Sequence, residues 1–564
     1  MHNQYPFSPW PFLLVTANPL EDPFYYLNNF QQVLAWLQQR YADVLSPREQ
    51  AFIEHFGQLP RASQALLVRM VMRKGEHFRL GKLQYPEIGD PALAVEPLMA
   101  LGWVDEQAPL SLDQVFDVLL KAEILACFGT AIEQPKAKKS QWLEDLRLRL
   151  DPPQALKAWY PELDDRLFSL TIMALCDRLR LLFFGNLYQD WSEFVLADLG
   201  IFTYEKVEIC SESRGLRSRD DVDAFLYLHQ CQQAFEAGEA LEEVVAQIIA
   251  LDTANPWLER RRGKLLFQLG QHCERVADWP AALGLYRQSA YPGARGRLIR
   301  VLERCAEYEL ALALATEAER APQSAAELQQ LARVLPRLRR KLGGPPTPRP
   351  KARQMERLDL ELLQADPALS VEFHVQAHLH QPDAPVHYVE NSLINSLFGL
   401  LCWPAIFAPL PGAFFHPFQR GPVDLLSEDF QTRRSELFQA CLAELDDGRY
   451  RDTLRQRFRE KAGVQSPFVF WGVLTEELLE QAMLCLPAEH LKHWFERLLL
   501  DIKANRAGMP DLIQFWPEQR RYRMIEVKGP GDRLQDNQLR WLEFCQEHQM
   551  PIAVCYVQWA EPAA

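Results

Sequence analysis

Two carboxylates and an amine lie close together near the end of the chain. Asp511 follows Gly508-Met509-Pro510, and Glu526-Val527-Lys528 closes the run that starts at Tyr522. Carboxylates are hard oxygen donors, which suit Mg²⁺ or Mn²⁺. An ammonium beside them can steady an attacking water or offset charge on a phosphoryl oxygen. The chemistry within reach is metal-assisted hydrolysis of a phosphodiester. Taken alone, Asp…Glu-x-Lys is a loose pattern, which a surface salt bridge on an ordinary hairpin also satisfies.

A hairpin must bring these groups together. Pro510 has no backbone N–H, so it fits the mouth of a strand, which Asp511 then opens. The sequence predicts strands over Asp511–Trp516, Tyr522–Lys528 and Ile552–Val557, with a turn at Pro517–Gln519. Residues two apart in a strand share a face, so Glu526 and Lys528 point one way and Ile525 and Val527 the other. Gly529-Pro530-Gly531 breaks the chain directly after Lys528, a costly choice unless something must approach closely. Asp532–Gln538 then opens an amphipathic helix with Leu534, Trp541, Leu542 and Cys545 on its buried side.

The remaining chain is long and mostly helical in pattern. Its 564 residues carry 61 Lys+Arg against 75 Asp+Glu, a net charge of −14, with 48% hydrophobic residues. That composition argues against disorder and predicts several domains. No stretch reads as a membrane span or a signal peptide, which predicts an intracellular protein, a bacterial cytoplasm first and a nucleus if eukaryotic. The 11 Cys stand without any CxxC, so packed thiols are expected rather than disulfides or a zinc ribbon. The negative total does not exclude nucleic acid, because screening leaves local patches in charge.

A helix is expected over Leu27–Leu45 after an aromatic-rich loop from Phe7 to Phe24. Ser111 is expected to cap a helix over Leu112–Ile124. Leu265, Leu266, Leu269-Gly270, Asp278-Trp279, Ala281-Ala282 and Tyr286 are similar to a tetratricopeptide (TPR) helix pair, echoed over Leu298–Ala313. Such an array offers a surface for protein partners. Gly343 to Lys351 reads as a proline-stiffened linker.

Arg506-x-Gly508-x-Pro510-Asp511-Leu512, then Ile525-Glu526-Val527-Lys528-Gly529-Pro530-Gly531-Asp532-Arg533-Leu534 and Asn537-Gln538, resemble the virus-type replication–repair nuclease (VRR-NUC) domain, a branch of the PD-(D/E)xK nucleases. Upstream, Glu390-Asn391-Ser392-Leu393, Gly399 to Trp403, Pro411-Gly412 and Pro422-Val423-Asp424-Leu425 resemble the Fanconi-associated nuclease family, as do Val68-Arg69, Arg73-Lys74-Gly75 and Phe78-Arg79. The resemblance implies a multidomain, mostly α-helical chain with a C-terminal α/β PD-(D/E)xK nuclease domain. Its parts would be an N-terminal helical region (1–60), a SAP-like DNA-binding domain (61–140), a helical linker with TPR-like repeats (141–342) and the nuclease domain (354–564).

The resemblance also implies roles. Glu390, Asp511 and Glu526, with the Val527 carbonyl, would hold Mg²⁺ or Mn²⁺; Lys528 would be the catalytic lysine, and Gln538 would position the site from the following helix. Two departures bear on Glu390. The family's glycine-rich, His-containing stretch is shortened to Val386-His387-Tyr388-Val389, and Pro404 replaces the acid after Trp403. As a residue type alone, Glu390 equally suits the N-terminus of a helix. The implied function is a structure-specific endonuclease and phosphodiesterase that cuts 5′ flaps and branched DNA, with 5′ to 3′ exonuclease action, in interstrand-crosslink repair. The alternative is a branched-DNA-binding scaffold without catalysis. Arg69, Arg73, Lys74, Arg79 and Lys82 form a basic stretch for phosphates, or else a solvated helix face. His374, His378, His380 and His387 have zinc-like spacings, but their setting points to structural or solvated roles.

Overall fold

The computed structural model describes residues 22–147, 152–189, 191, 202–345, 355–364, 366 and 368–560. Most of the expected Phe7–Phe24 loop and of the 343–351 linker lies outside them. The chain divides into two units, residues 1–203 with 210–222, and 204–209 with 223–564. Mostly helical throughout, it carries its mixed sheet at the C-terminal end.

In the first unit, α1 (Tyr25–Tyr41) buries Leu27, Phe30, Leu34, Leu37 and Tyr41. This alternation of three- and four-residue steps makes one helical face apolar. Ser46 opens α2 (Pro47–Gln58) with a capping box to Glu49. Next comes α3 (Arg61–Val71), and a small antiparallel sheet has the order β1 (His77–Arg79), β3 (Leu167–Leu170), β2 (Val104–Asp105). Ser111 caps as expected, its Oγ accepting from the Gln114 N–H, but the helix behind it is two pieces, α4 (Leu112–Val118) and α5 (Lys121–Phe128).

The second unit opens with helical hairpins. α6 (Pro256–Arg275) packs on α7 (Trp279–Gln288), where Asp278 is the N-cap. A Cβ on Gly270 would lie 2.7 Å from the Tyr286 ring, so the glycine admits the tyrosine. α8 (Ala294–Arg304), α9 (Tyr308–Arg320) and α10 (Ala325–Lys341) continue the array.

The C-terminal sheet has five strands in the order β4 (Glu356–Leu362), β8 (Ile552–Trp559), β7 (Arg521–Lys528), β6 (Leu512–Trp516), β5 (Val386–Tyr388). β8 runs parallel to both β4 and β7, while β6 is antiparallel to β7 and β5. The sequence predicts β6, β7 and β8; β4 and β5 add to them. One face packs Val386, Leu512, Ile525, Val527, Cys555 and Val557 on Val375 of α11 (Val371–Leu379). The other packs Ile513, Phe515, Met524, Ile552 and Val554 on a helical core that includes Leu393 and Leu397 of α12 (Leu393–Leu401) and Trp541 of α13 (Asp536–Glu547). Burial of both faces accounts for the unbroken run of buried residues from Met524 to Lys528 in β7, where Glu526 and Lys528 are the charged members. Among the described residues no helix is long and apolar enough to cross a membrane.

Candidate active site

Strand register brings the candidate groups to one end of the sheet. Leu512 pairs with Ile525 and with Tyr388. Asp511 is therefore one step before that rung, Glu526 one step after it on β7, and Glu390 two residues past the end of β5. Alternation sends Glu526 and Lys528 to the face of Met524, as the strand period requires. Asp511 is 6% exposed, Glu526 0% and Lys528 8%.

Each group is held by its surroundings. Asp511 Oδ2 accepts from the Val527 N–H at 2.7 Å. The Lys528 ammonium is 2.7 Å from Glu526 Oε1, close but not aligned as a hydrogen bond, and Glu526 Oε2 is buried without a hydrogen-bond partner among the described residues. Glu390 is exposed. Its Oε2 accepts from the Tyr388 hydroxyl at 2.6 Å and its Oε1 from Asn391 Nδ2 at 3.0 Å. Asn391 has φ +50, and its Oδ1 accepts from the Met509 N–H at 3.0 Å. Asparagine tolerates that left-handed conformation better than most residues. One side chain thus ties the Glu390 loop to the loop that delivers Asp511. Gly508, at φ +94, abuts α13; a Cβ there would fall 2.8 Å from the Asn537 backbone.

The electrostatics are those of a site short of positive charge. Burial, then repulsion from Glu526 and also from Glu390 and Glu372, pushes the Asp511 carboxyl well above the usual range. Burial raises Glu526 too, and Lys528 only partly draws it back. Burial alone would lower the Lys528 amine, but the adjacent Glu526 carboxylate, with Asp511, outweighs this and holds it charged. Two buried acids with raised affinity for protons are poised to exchange those protons for a cation.

Hard oxygens and an orphaned buried acceptor fit Mg²⁺ or Mn²⁺. Asp511, Glu526 and the Val527 carbonyl are the candidate donors closest to one another in the strand register. No group of three or more His, Cys, Asp or Glu among the described residues forms a ready-made cage. Glu390 spends one lone pair of each oxygen on Tyr388 and Asn391, and each oxygen keeps another.

Tyr388, Asn391 and Glu372 join the candidate site through contacts that sequence spacing does not mark. Glu372 lies in the first turn of α11 and adds negative potential to both buried acids. Gln538 is engaged elsewhere: its Oε1 accepts from the Gln535 N–H at 2.9 Å, a capping bond that starts α13. The histidines make separate contacts, His374 with the Ser370 carbonyl, His380 with the Val386 N–H and His387 with Gln481.

The five basic residues of the first unit divide. Arg69 is bonded to Glu87 at 2.6 Å and lies over the Tyr26 ring. Arg79 is bonded to Glu123 and Asp165 at 2.6 and 2.8 Å. Both are committed within the fold. Arg73, Lys74 and Lys82 are exposed, with Arg73 donating to the Lys82 carbonyl.

The mixed sheet presents Asp, Glu and Lys from one hairpin, and the VRR-NUC domain model, that of a nuclease class, matches residues 445–559. That span contains Asp511, Glu526 and Lys528, while Glu390 lies upstream of it. Residues 24–105 match the model described as FAN1, HTH domain, and residues 109–159 the Fanconi anemia-associated nuclease SAP domain. The segment 61–140 expected to be SAP-like thus overlaps both matches. The chain is 59% identical to the Fanconi-associated nuclease 1 homolog of Pseudomonas aeruginosa, over 99% of each chain. It is 32% identical to human Fanconi-associated nuclease 1 over 34% of this chain and 20% of that one. The crystal structure of paFAN1 bound to 2nt 5′flap DNA with gap superposes with a TM-score of 0.92 at 59% identity, covering 97% of this chain and 100% of that one. The chain belongs to the Fanconi-associated nuclease family.

Proposed function

We propose that this chain is a metal-dependent phosphodiesterase that cuts 5′ flaps and related branched DNA, trims strands in the 5′ to 3′ sense, and serves interstrand-crosslink repair inside a bacterial cell. The observation that carries the reading is the buried trio Asp511, Glu526 and Lys528, in which Glu526 Oε2 has no hydrogen-bond partner among the described residues. The relative crystallised with 5′ flap DNA supports the substrate class.

Asp511, Glu526, the Val527 carbonyl and Glu390 would hold the divalent ion, which supplies Lewis acidity toward the scissile phosphate. Lys528 Nζ, kept protonated by Glu526, donates to the attacking water or to the phosphoryl oxygen on which charge builds. The Val527 N–H fixes the Asp511 carboxylate in one orientation. Tyr388 and Asn391 do the same for Glu390. The first-unit modules grip duplex arms, with Arg73, Lys74 and Lys82 on phosphates. Recognition is of shape and backbone, not base sequence.

The test is a labelled 5′-flap duplex with Mn²⁺, using wild type, Asp511→Asn and Lys528→Ala. Wild type cleaves; both variants lose at least a hundredfold in rate and still bind the flap. Cleavage by Asp511→Asn would move the site elsewhere, and binding without cleavage by wild type would favour the scaffold.

A further inference from the structure

A cleft of about 790 Å³ lies between α8, α10 and the start of α13, within the second unit. Arg300, Arg304, Arg333, Arg337, Lys341 and Arg540 line it, against two carboxylates, Glu303 and Asp536. This concentration of positive charge stands out on a chain of net charge −14.

The cations are arranged in rows. Arg333, Arg337 and Lys341 are spaced by four along α10, and Arg300 and Arg304 by four along α8. Residues four apart share a helical face, and like charges at that spacing disfavour the helix. A recurrent anion facing the rows gives that arrangement a purpose. Two carboxylates hold part of it in place: Arg333 forms a two-pronged pair with Asp536, and Arg337 with Glu303. The Arg333–Asp536 pair is more than half exposed on both sides, a geometry in which a phosphate can take the place of the carboxylate. Arg304 and Lys341 are exposed.

The cleft is close to the candidate site. Gly508, three residues before Asp511, abuts Asn537 in the first turn of α13. Three extended residues span at most roughly 11 Å, so this turn is within a few nucleotides of Asp511. Apolar lining is limited to Ala326, Val334 and the Tyr308 ring, which offers little to the aromatic and aliphatic anchors of a protein partner. A charged backbone without anchors suits it better.

We propose that this cleft holds the sugar–phosphate backbone of the single-stranded arm of a branched DNA substrate. The proposal rests on the nuclease reading above and names a surface for the strand beyond the cut. Binding should strengthen as the flap is lengthened from 1 to 15 nucleotides, because added phosphates enter the cleft.

The test is the affinity of the full-length protein for a duplex with each flap length, across a range of salt, without divalent ion. Wild type should gain affinity with flap length. Arg304→Ala/Lys341→Ala should lose most of that gain, and its log-affinity against log-salt slope on the long flap should fall by about 1.4, or ~0.7 per contact. Arg304→Lys/Lys341→Arg should restore both, which separates charge from folding. A wild-type affinity independent of flap length, or a double-alanine variant that keeps the full gain, overturns the proposal. So does loss of affinity for an acidic peptide with flap binding intact, which would make the cleft a protein-docking surface. Wild type that cuts no flap in Mn²⁺ sinks the nuclease reading instead, so the two failures are distinguishable.

Discussion

Replacing Asn391 by glycine and by alanine separates two effects that the native side chain combines. Its Oδ1 accepts from the Met509 N–H, two residues before Asp511, and its Nδ2 donates to Glu390. Met509 is 3% exposed, so losing the acceptor strands a largely buried N–H, at about 1–3 kcal/mol. The bond to Glu390 is exposed and adds only tenths of a kcal/mol. Both variants lose these bonds. Only alanine must also hold φ +50, which costs it about 1–2 kcal/mol that glycine escapes. Urea unfolding should therefore rank wild type above Asn391→Gly by about 1–3 kcal/mol, and Asn391→Gly above Asn391→Ala by about 1–2 kcal/mol. Flap cleavage should fall in both, because the loops carrying Glu390 and Asp511 lose their tie. Equal stability of the two variants would refute the strain argument. Full activity in both would refute the view that the tie positions the site.

Gly508→Ala should cost roughly 2–4 kcal/mol and abolish cleavage, since the new Cβ meets the Asn537 backbone at 2.8 Å and φ is +94; thermal melts that match wild type would contradict the crowding. His416 is buried, its Nδ1 accepting from the Phe418 N–H, and burial pushes its pKa down to about 3. The unfolded chain takes up that proton below about pH 6.5 while the fold does not, so stability present above pH 6.5 is lost as pH falls towards 3. Between pH 7.5 and 5.5 the loss should be about 1.4 kcal/mol, and His416→Gln should remove it; an identical slope in both proteins would refute it. Binding of Mn²⁺ near pH 7 should release protons, because Asp511 and Glu526 both hold theirs more tightly than ordinary carboxyls. Titration calorimetry in buffers of different ionisation enthalpy measures the count, which should fall in Asp511→Asn.

Local pattern made the centre of the site legible. Pro510 marked the mouth of β6, alternation set Glu526 with Lys528, and the Gly529-Pro530-Gly531 break marked the end of β7. β4 also carried a signal, Leu358, Leu360 and Leu362 at period two, though it gave no site residue. What stayed hidden depends on partners distant in sequence. Arg79 looks like a free cation until folding brings Asp165 to it from 86 residues away and Glu123 from 44. The tie between Asn391 and Met509 spans 118 residues. The capping bond of Gln538 was legible in its three-residue spacing to Gln535, but glutamine is not a usual N-cap, so the pattern was easy to pass over.

The distribution of charge argues that cutting and holding are divided between surfaces. Glu390 and Glu372 add their negative charge to the buried Asp511 and Glu526, against the one amine of Lys528, so by itself this site repels a phosphate. On the proposed reading a divalent ion would reverse that sign at the site only, so that catalysis would depend on the ion while attraction of the strand would have to be supplied elsewhere. The cations of the cleft at α8, α10 and α13 and the exposed Arg73, Lys74 and Lys82 can supply it without metal. Flap binding should therefore survive chelation while cleavage stops, and it should weaken steeply with salt. If chelation abolished binding as well, the acidic site would have to be the principal anchor for DNA, and the outlying cations would be only solvated surface.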